Sequence, residues 1–226
     1  MALHIDRINA IAMDFFYILP NQKSAIGIEI SQGGYGYEEQ EEVYVFPSGA
    51  TTDALLITNN NVFNIGLAYR YDLKTQGAFI PYLQARTGVS TFKSDIALQD
   101  RNEFITSSCP KPLEEEVLSS DAALYLGAGV GARLDLQTIF KKLKQDVLFL
   151  DFSVSYNYGT NIAYMSLNNP QRNLNTGSEV ENINIQFASE AEPDIILEQD
   201  AGDIYSNPLQ LVDFKIGLGI NIPKTE

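Results

Sequence analysis

The sequence predicts an all-β protein, an antiparallel up-and-down transmembrane β-barrel of about eight strands, seven of them evident. Three observations predict it. Apolar residues alternate with polar or small ones in seven separate runs. Side chains on a strand alternate faces, so each run carries one apolar and one polar face. The runs span about ten to fifteen residues, where strands of soluble domains usually have about five or six. A tilted strand needs roughly nine to eleven residues to cross a bilayer. Finally, the connections alternate between short and long, as in barrels with tight turns at one end and large loops at the other.

Each run supports a strand. In the first, Ile11, Met13, Phe15, Tyr17 and Leu19 alternate with Ala10, Ala12, Asp14 and Phe16. In the second, Ile26, Ile28 and Ile30 alternate with Gly27, Glu29 and Ser31. The third sets Phe63, Ile65, Leu67, Tyr69 and Tyr71 against Asn64, Gly66, Ala68, Arg70 and Asp72. The fourth sets Phe79, Pro81, Leu83, Ala85 and Val89 against Tyr82, Gln84, Arg86, Gly88 and Ser90. In the fifth, Leu124, Leu126, Ala128, Val130 and Leu134 oppose Tyr125, Gly127, Gly129, Gly131 and Arg133. In the sixth, Leu148, Leu150, Phe152, Val154, Tyr156 and Tyr158 oppose Asp151, Ser153, Ser155 and Asn157. The last sets Val212, Phe214, Ile216, Leu218, Ile220 and Ile222 against Asp213, Lys215, Gly217 and Gly219.

A single domain spans 1–226, with long acidic loops expected at 38–61, 93–121 and 159–210. The loops hold 20 of the 29 acids and four bases, Lys93, Arg101, Lys111 and Arg172. The opposite end carries Lys23, Lys74, Lys141, Lys142, Lys144 and Lys224. Within the loops, Val43 to Phe46 with Ala54 to Ile57 reads as a hairpin extension. Alternating Ile183, Ile185 and Phe187, near Asp194 to Leu197, reads as a second hairpin.

Composition excludes several function classes. The net charge of −14 opposes nucleic-acid binding, which calls for Lys and Arg. One cysteine, Cys109, allows neither a disulfide framework nor a Cys-based zinc site. One histidine, His4, with no motif around it, removes most histidine-dependent catalysis, so no catalytic residue is assigned. The acidic runs Glu38 to Glu42, Glu114 to Glu116 and Glu198 to Asp203 lack EF-hand spacing, so no metal site is assigned. Gly127 to Gly131 is not a nucleotide loop, because its glycines fall on one strand face and no helix follows. No cofactor is expected.

The polar face decides which face meets lipid. A soluble calyx would expose it to water, where glycine only weakens a strand. Here it holds Gly27, Gly66, Gly88, Gly127, Gly129, Gly131, Gly217 and Gly219, which make room for larger neighbours inside a narrow barrel. Its charges balance: Asp14, Glu29, Asp151 and Asp213 against Arg70, Arg86, Arg133 and Lys215. Buried charges must pair, so these eight are expected to form a lumen network. Ile65, Leu67, Leu126, Val130, Leu150, Val154, Ile216 and Leu218 are expected to face lipid. Tyr17, Tyr69, Tyr71 and Phe79 at one end, with Phe63, Tyr156 and Tyr158 at the other, suit interfacial girdles.

LYLGAGVGARLDL (Leu124 to Leu136), FLDFSVSYNYG (Phe149 to Gly159) and VDFKIGLGINI (Val212 to Ile222) resemble the strands of small outer-membrane β-barrel proteins of the OmpA/OmpX type. The resemblance covers nearly the whole chain. It implies insertion in the bacterial outer membrane, contact with its lipid, periplasmic turns and surface loops. It also implies a structural, adhesive or partner-binding role, or a narrow pore. Barrels of this type often end on an aromatic residue, whereas this chain ends Ile222-Pro223-Lys224-Thr225-Glu226.

The count of seven is odd. The first and last strands would then run in the same direction, although bacterial barrels are normally even and antiparallel. The seam between them is expected to be covered by a strand lost upstream with a signal peptide, or by another outer-membrane protein through β-augmentation. The expected function is a non-enzymatic outer-membrane barrel acting through its acidic loops. The alternatives are a narrow channel, and a lipocalin-like calyx with the apolar face inside.

Overall fold

The computed structural model describes residues 7–45, 51–100, 112–136, 148–166, 180–188 and 196–221. They form a single sheet of eight strands: β1 (Asn9–Ile18), β2 (Ser24–Val45), β3 (Thr51–Asp72), β4 (Phe79–Asp100), β5 (Pro112–Asp135), β6 (Leu148–Ser166), β7 (Val180–Ala188) and β8 (Ile196–Ile220). The strand order is β1-β2-β3-β4-β5-β6-β8-β7. Every neighbouring pair is antiparallel. Seven strands, β1 to β6 and β8, form an up-and-down meander, and β7 is a short arm along the first half of β8.

The strands run further than the alternation indicates. β2, β3 and β4 have 22 residues each and β5 has 24. Much of the ranges expected as loops is therefore paired strand. Glu39 pairs with Ile57, Ser94 with Asn60, and Phe187 with Leu197. Polar, acidic stretches give no period-2 signal, yet their backbone continues the ladder begun below. A bulge between Gly34 and Gly36, and another between Tyr158 and Asn161, re-aim the chain where the upper section begins.

Two short connections close the lower end. In the first, Leu19 N–H donates to Ser24 O at 2.8 Å and Gln22 N–H to Leu19 O at 2.9 Å. The Asn21 side chain accepts from Ser24 N–H at 2.9 Å, and Gln22 takes a left-handed φ of 57°, so the turn is tied by an Asx contact. In the second, Gly77 has φ of 122°, a conformation reserved for glycine.

The sheet is strongly curled. Six strand spacings separate β1 from β8, roughly 29 Å in a flat sheet. Yet Lys215 Nζ on β8 lies 3.0 Å from the Asp14 carboxylate on β1. Only a sheet rolled nearly onto itself brings these side chains together. Among the described residues the backbone does not close: β1 pairs with β2 alone, and the Val212 to Ile220 half of β8 pairs with β6 alone.

The two faces exchange character along the strands. In the lower section the convex face is apolar and the concave face is charged. In the upper section the concave face holds a buried cluster of Val62, Phe92, Ala123, Tyr125, Ile162, Tyr164, Tyr205 and Leu209, with Tyr35 packed against it. There the convex face carries Lys93 and Asp95, paired at 3.7 Å.

Candidate functional site

The lower concave face collects charges because the inward residues of seven curled strands converge there. They form three groups. In the first, Arg86 on β4 donates from Nε to Glu29 Oε2 at 2.6 Å and from Nη1 to Asp213 Oδ2 at 2.7 Å. The same Nη1 donates to Ser155 Oγ at 2.7 Å. Gln84 Nε2 donates to Glu29 Oε1 at 2.8 Å. Lys215 Nζ reaches Glu29 Oε1 at 3.3 Å and both Asp14 oxygens at 3.0 Å. Five strands are thereby tied through their side chains.

The second group joins Arg70 Nη1 to Asp151 Oδ2 at 3.1 Å, and Tyr82 donates its hydroxyl to Asp151 Oδ1 at 2.5 Å. The Arg70 guanidinium lies 3.9 Å from the Phe16 ring centroid and 4.9 Å from that of Tyr82, a cation–π sandwich. In the third, Arg133 pairs with Asp72 and lies 5.5 Å from the Phe149 ring centroid. The structure thus brings all eight charges singled out in the sequence onto one face, in separate groups instead of one network. Arg133 takes Asp72, which that set omits, although Asp151 sits opposite it across the ladder. Tyr82, Gln84 and Ser155 were also missed as partners, because a polar-face position does not reveal which distant strand faces it.

Glycines make these groups fit. A Cβ on Gly129 would lie 2.7 Å from Ser155 Cβ and from Val154 O. One on Gly131 would strike the Tyr82 ring, and one on Gly219 the Phe149 ring. Gly217, by contrast, has nothing within 4 Å.

The convex face carries the apolar residues. Ile65, Leu67, Leu126, Val130, Val154, Ile216 and Leu218 are 42–75% exposed, and Leu150 is half-buried. With Ile11, Met13, Phe15, Ile26, Ile28, Leu83, Phe152 and Phe214, all exposed, they make a continuous apolar belt. Tyr17, Tyr69, Tyr71, Phe79, Phe63, Tyr156 and Tyr158 are exposed on the same face.

Above the belt, Asn60 Nδ2 donates to Met165 O at 3.2 Å, and Tyr35 shares a 3.3 Å hydrogen bond with Ser94. Burial pushes the hydroxyls of Tyr35 and Tyr164 above the ordinary tyrosine value. Tyr37 donates to Glu39, which holds its proton and raises its pKa to about 12. This aromatic interior went unread in the sequence, although Phe92 and Tyr125 break the polar parity of their runs.

No family model matches the chain, and neither a curated protein nor a solved structure shows significant similarity to it.

Among the described residues, no group of three or more His, Cys, Asp or Glu is placed to hold a metal, and no helix is long and apolar enough to cross a membrane. The second finding says nothing of strands. His4, Cys109, Lys141, Lys142 and Lys144 lie outside the described residues.

Proposed function

We propose that the chain is a non-enzymatic outer-membrane β-barrel of the OmpA/OmpX type, with a structural or partner-binding role exercised through its acidic upper section. One observation carries the reading: the face exchange. Above the belt Phe92, Tyr125, Ile162 and Tyr164 lie in a buried cluster on the concave face, and Lys93 and Asp95 lie on the convex face. Below it Phe214, Ile216 and Leu218 are 72–75% exposed, while Glu29 and Arg70 are buried on the opposite face. An apolar belt this wide around a soluble monomer would be an aggregation site, whereas hydrocarbon is the solvent it suits. From Phe63 to Tyr71 the belt spans nine residues, within the roughly nine to eleven that a tilted strand needs to cross a bilayer.

The same observation opposes a calyx, which needs Ile28, Leu67 and Leu126 inside. All three are 47–70% exposed on the convex face. The tight lower turns would face the periplasm, and the extended acidic strands would rise from the cell surface. With 20 acids and four bases in the ranges 38–61, 93–121 and 159–210, that upper section favours basic or cation-bridged partners.

Membrane fractionation with a heat-modifiability gel tests the proposal. The unboiled protein is expected in the outer-membrane fraction and to migrate faster than the boiled form. Recovery in the soluble fraction without a mobility shift would overturn it.

A further inference from the structure

We propose that the seam between β1 and β8 is a slot for one further strand, and that its occupant is a strand of the same polypeptide that precedes β1. The inference rests on the reading that the convex face lies in lipid. β1 and β8 run in the same direction, because β8 is the seventh strand of an antiparallel meander. Among the described residues Ala10 to Phe16 and Phe214 to Ile220 each have one edge with no strand against it, and at membrane depth an unpaired edge leaves backbone N–H and C=O groups with no partner. A single strand running the opposite way satisfies both edges with antiparallel ladders and brings the meander to an even number.

The seam is bridged by side chains and stands open beside them. Asp14 and Lys215 reach each other only through their side chains, at 3.0 Å. Two strands with one between them lie roughly 10 Å apart, a gap that an extended lysine and an aspartate can bridge. β1 is exposed along most of its length: Ala10 and Ala12, inward by parity, are exposed as Ile11 and Met13 are, and the Asp14 side chain is 26% exposed. On β8, Gly217 has nothing within 4 Å, whereas Gly219 and Gly131 are covered by aromatic rings. The occupant's inward positions would therefore be small or uncharged beside the Asp14–Lys215 pair, with room for one large side chain next to Gly217. Its outward positions would be apolar, continuing Phe15 and Phe214.

Polarity selects the source. A second copy inserted in the same orientation presents only the downward edges of its own β1 and β8, which are parallel to the seam. An upward strand ends at the level where β1 begins, at the end that carries the long connections. It is thus joined to Asn9 by an ordinary loop, next to its sequence neighbour in the sheet.

The test fuses a designed ten-residue strand, alternating apolar and small residues, ahead of Met1, after Glu226, or adds it as a free peptide. Hydrogen–deuterium exchange in lipid vesicles reads Ala10 to Phe16 and Phe214 to Ile220 in each case and in the chain alone. The chain alone is expected to exchange rapidly at both edges. The N-terminal fusion is expected to slow both at least about tenfold; the C-terminal fusion and the free peptide are expected to leave them fast. Edges already slow in the monomeric chain alone, slowed by dimerisation, slowed equally by the other two arms, or unmoved by the N-terminal fusion would each overturn the inference. The intact mass of the protein from its own cells is expected to exceed 25.1 kDa, and a mature chain no heavier would overturn the upstream source. Vesicle flotation of the same samples reads the membrane proposal separately, since a chain that fails to float refutes lipid insertion whatever its edges do.

Discussion

Arg86 shows how much depends on single side chains. Its guanidinium is shared by Glu29 and Asp213, and the side chains of Arg86 and Glu29 are only 8% and 5% exposed. Removing one partner of a buried pair leaves an uncompensated charge, at a cost of about 3–5 kcal/mol. Arg86→Ala is therefore expected to lower the unfolding midpoint in detergent by that order. Asp14→Asn, at the open seam where Asp14 is 26% and Lys215 19% exposed, is expected to cost about 1 kcal/mol or less. Equal effects would mean that Arg86 sees water as freely as Asp14. Tyr37 offers a second residue-scale reading. Its hydroxyl keeps its proton and donates a hydrogen bond to the Glu39 carboxylate, so the neutral form is favoured in the fold until the pH nears about 12. In Glu39→Gln the ultraviolet-detected ionisation of Tyr37 is expected to fall back towards 10.0; an unchanged titration would show that the contact does not hold the proton.

At the scale of the strand, what was legible in the sequence was the part that crosses the belt. Leu126 and Val130 against Gly127 and Gly129 disclose a strand and its two faces, because the exposed convex face is apolar and the crowded concave face admits little beyond glycine. The acidic stretch Glu38 to Glu42 discloses nothing, since water accepts those residues in strand or loop, and so the upper halves of β2 and β3 read as loops. Ion partners were invisible for another reason: Arg133 meets Asp72 through the curl of the sheet, which no local pattern encodes. The glycines give a strand-level test. Gly131→Ala must displace the Tyr82 ring and crowd Phe152 O at 2.6 Å, so about 1–3 kcal/mol of destabilisation is expected. Gly217→Ala meets nothing and is expected to stay within about 0.5 kcal/mol. On the outer face of β5, Val130→Arg is expected to cost about 2–4 kcal/mol of insertion free energy, read by partitioning between urea and vesicles. No penalty there would place the belt outside hydrocarbon.

For the whole molecule the question is whether a rolled sheet of this size encloses a path for ions. Two layers stand in the way. The lower is the charged layer, where Arg86, Glu29, Asp213 and Lys215 cross from β2 to β4 and β8, and Arg70 with Asp151 crosses from β3 to β6. Their charges nearly cancel and their hydrogen bonds are made to each other, so little is left to solvate a passing ion. The upper is the aromatic layer, where Phe92 lies 6.3 Å from Tyr164 by ring centroids and Tyr164 is stacked on Tyr205 at 6.1 Å. An eight-strand barrel has an interior just wide enough for side chains to fill, and the concave face of this curled sheet carries two such layers. The chain reconstituted in planar bilayers is accordingly expected to produce no resolved conductance steps. Arg86→Ala, which opens the lower layer alone, is expected to stay silent because the aromatic layer remains. Discrete steps from the unaltered protein would show a continuous gap past both layers and would turn the proposed reading from a partner-binding barrel to a narrow channel.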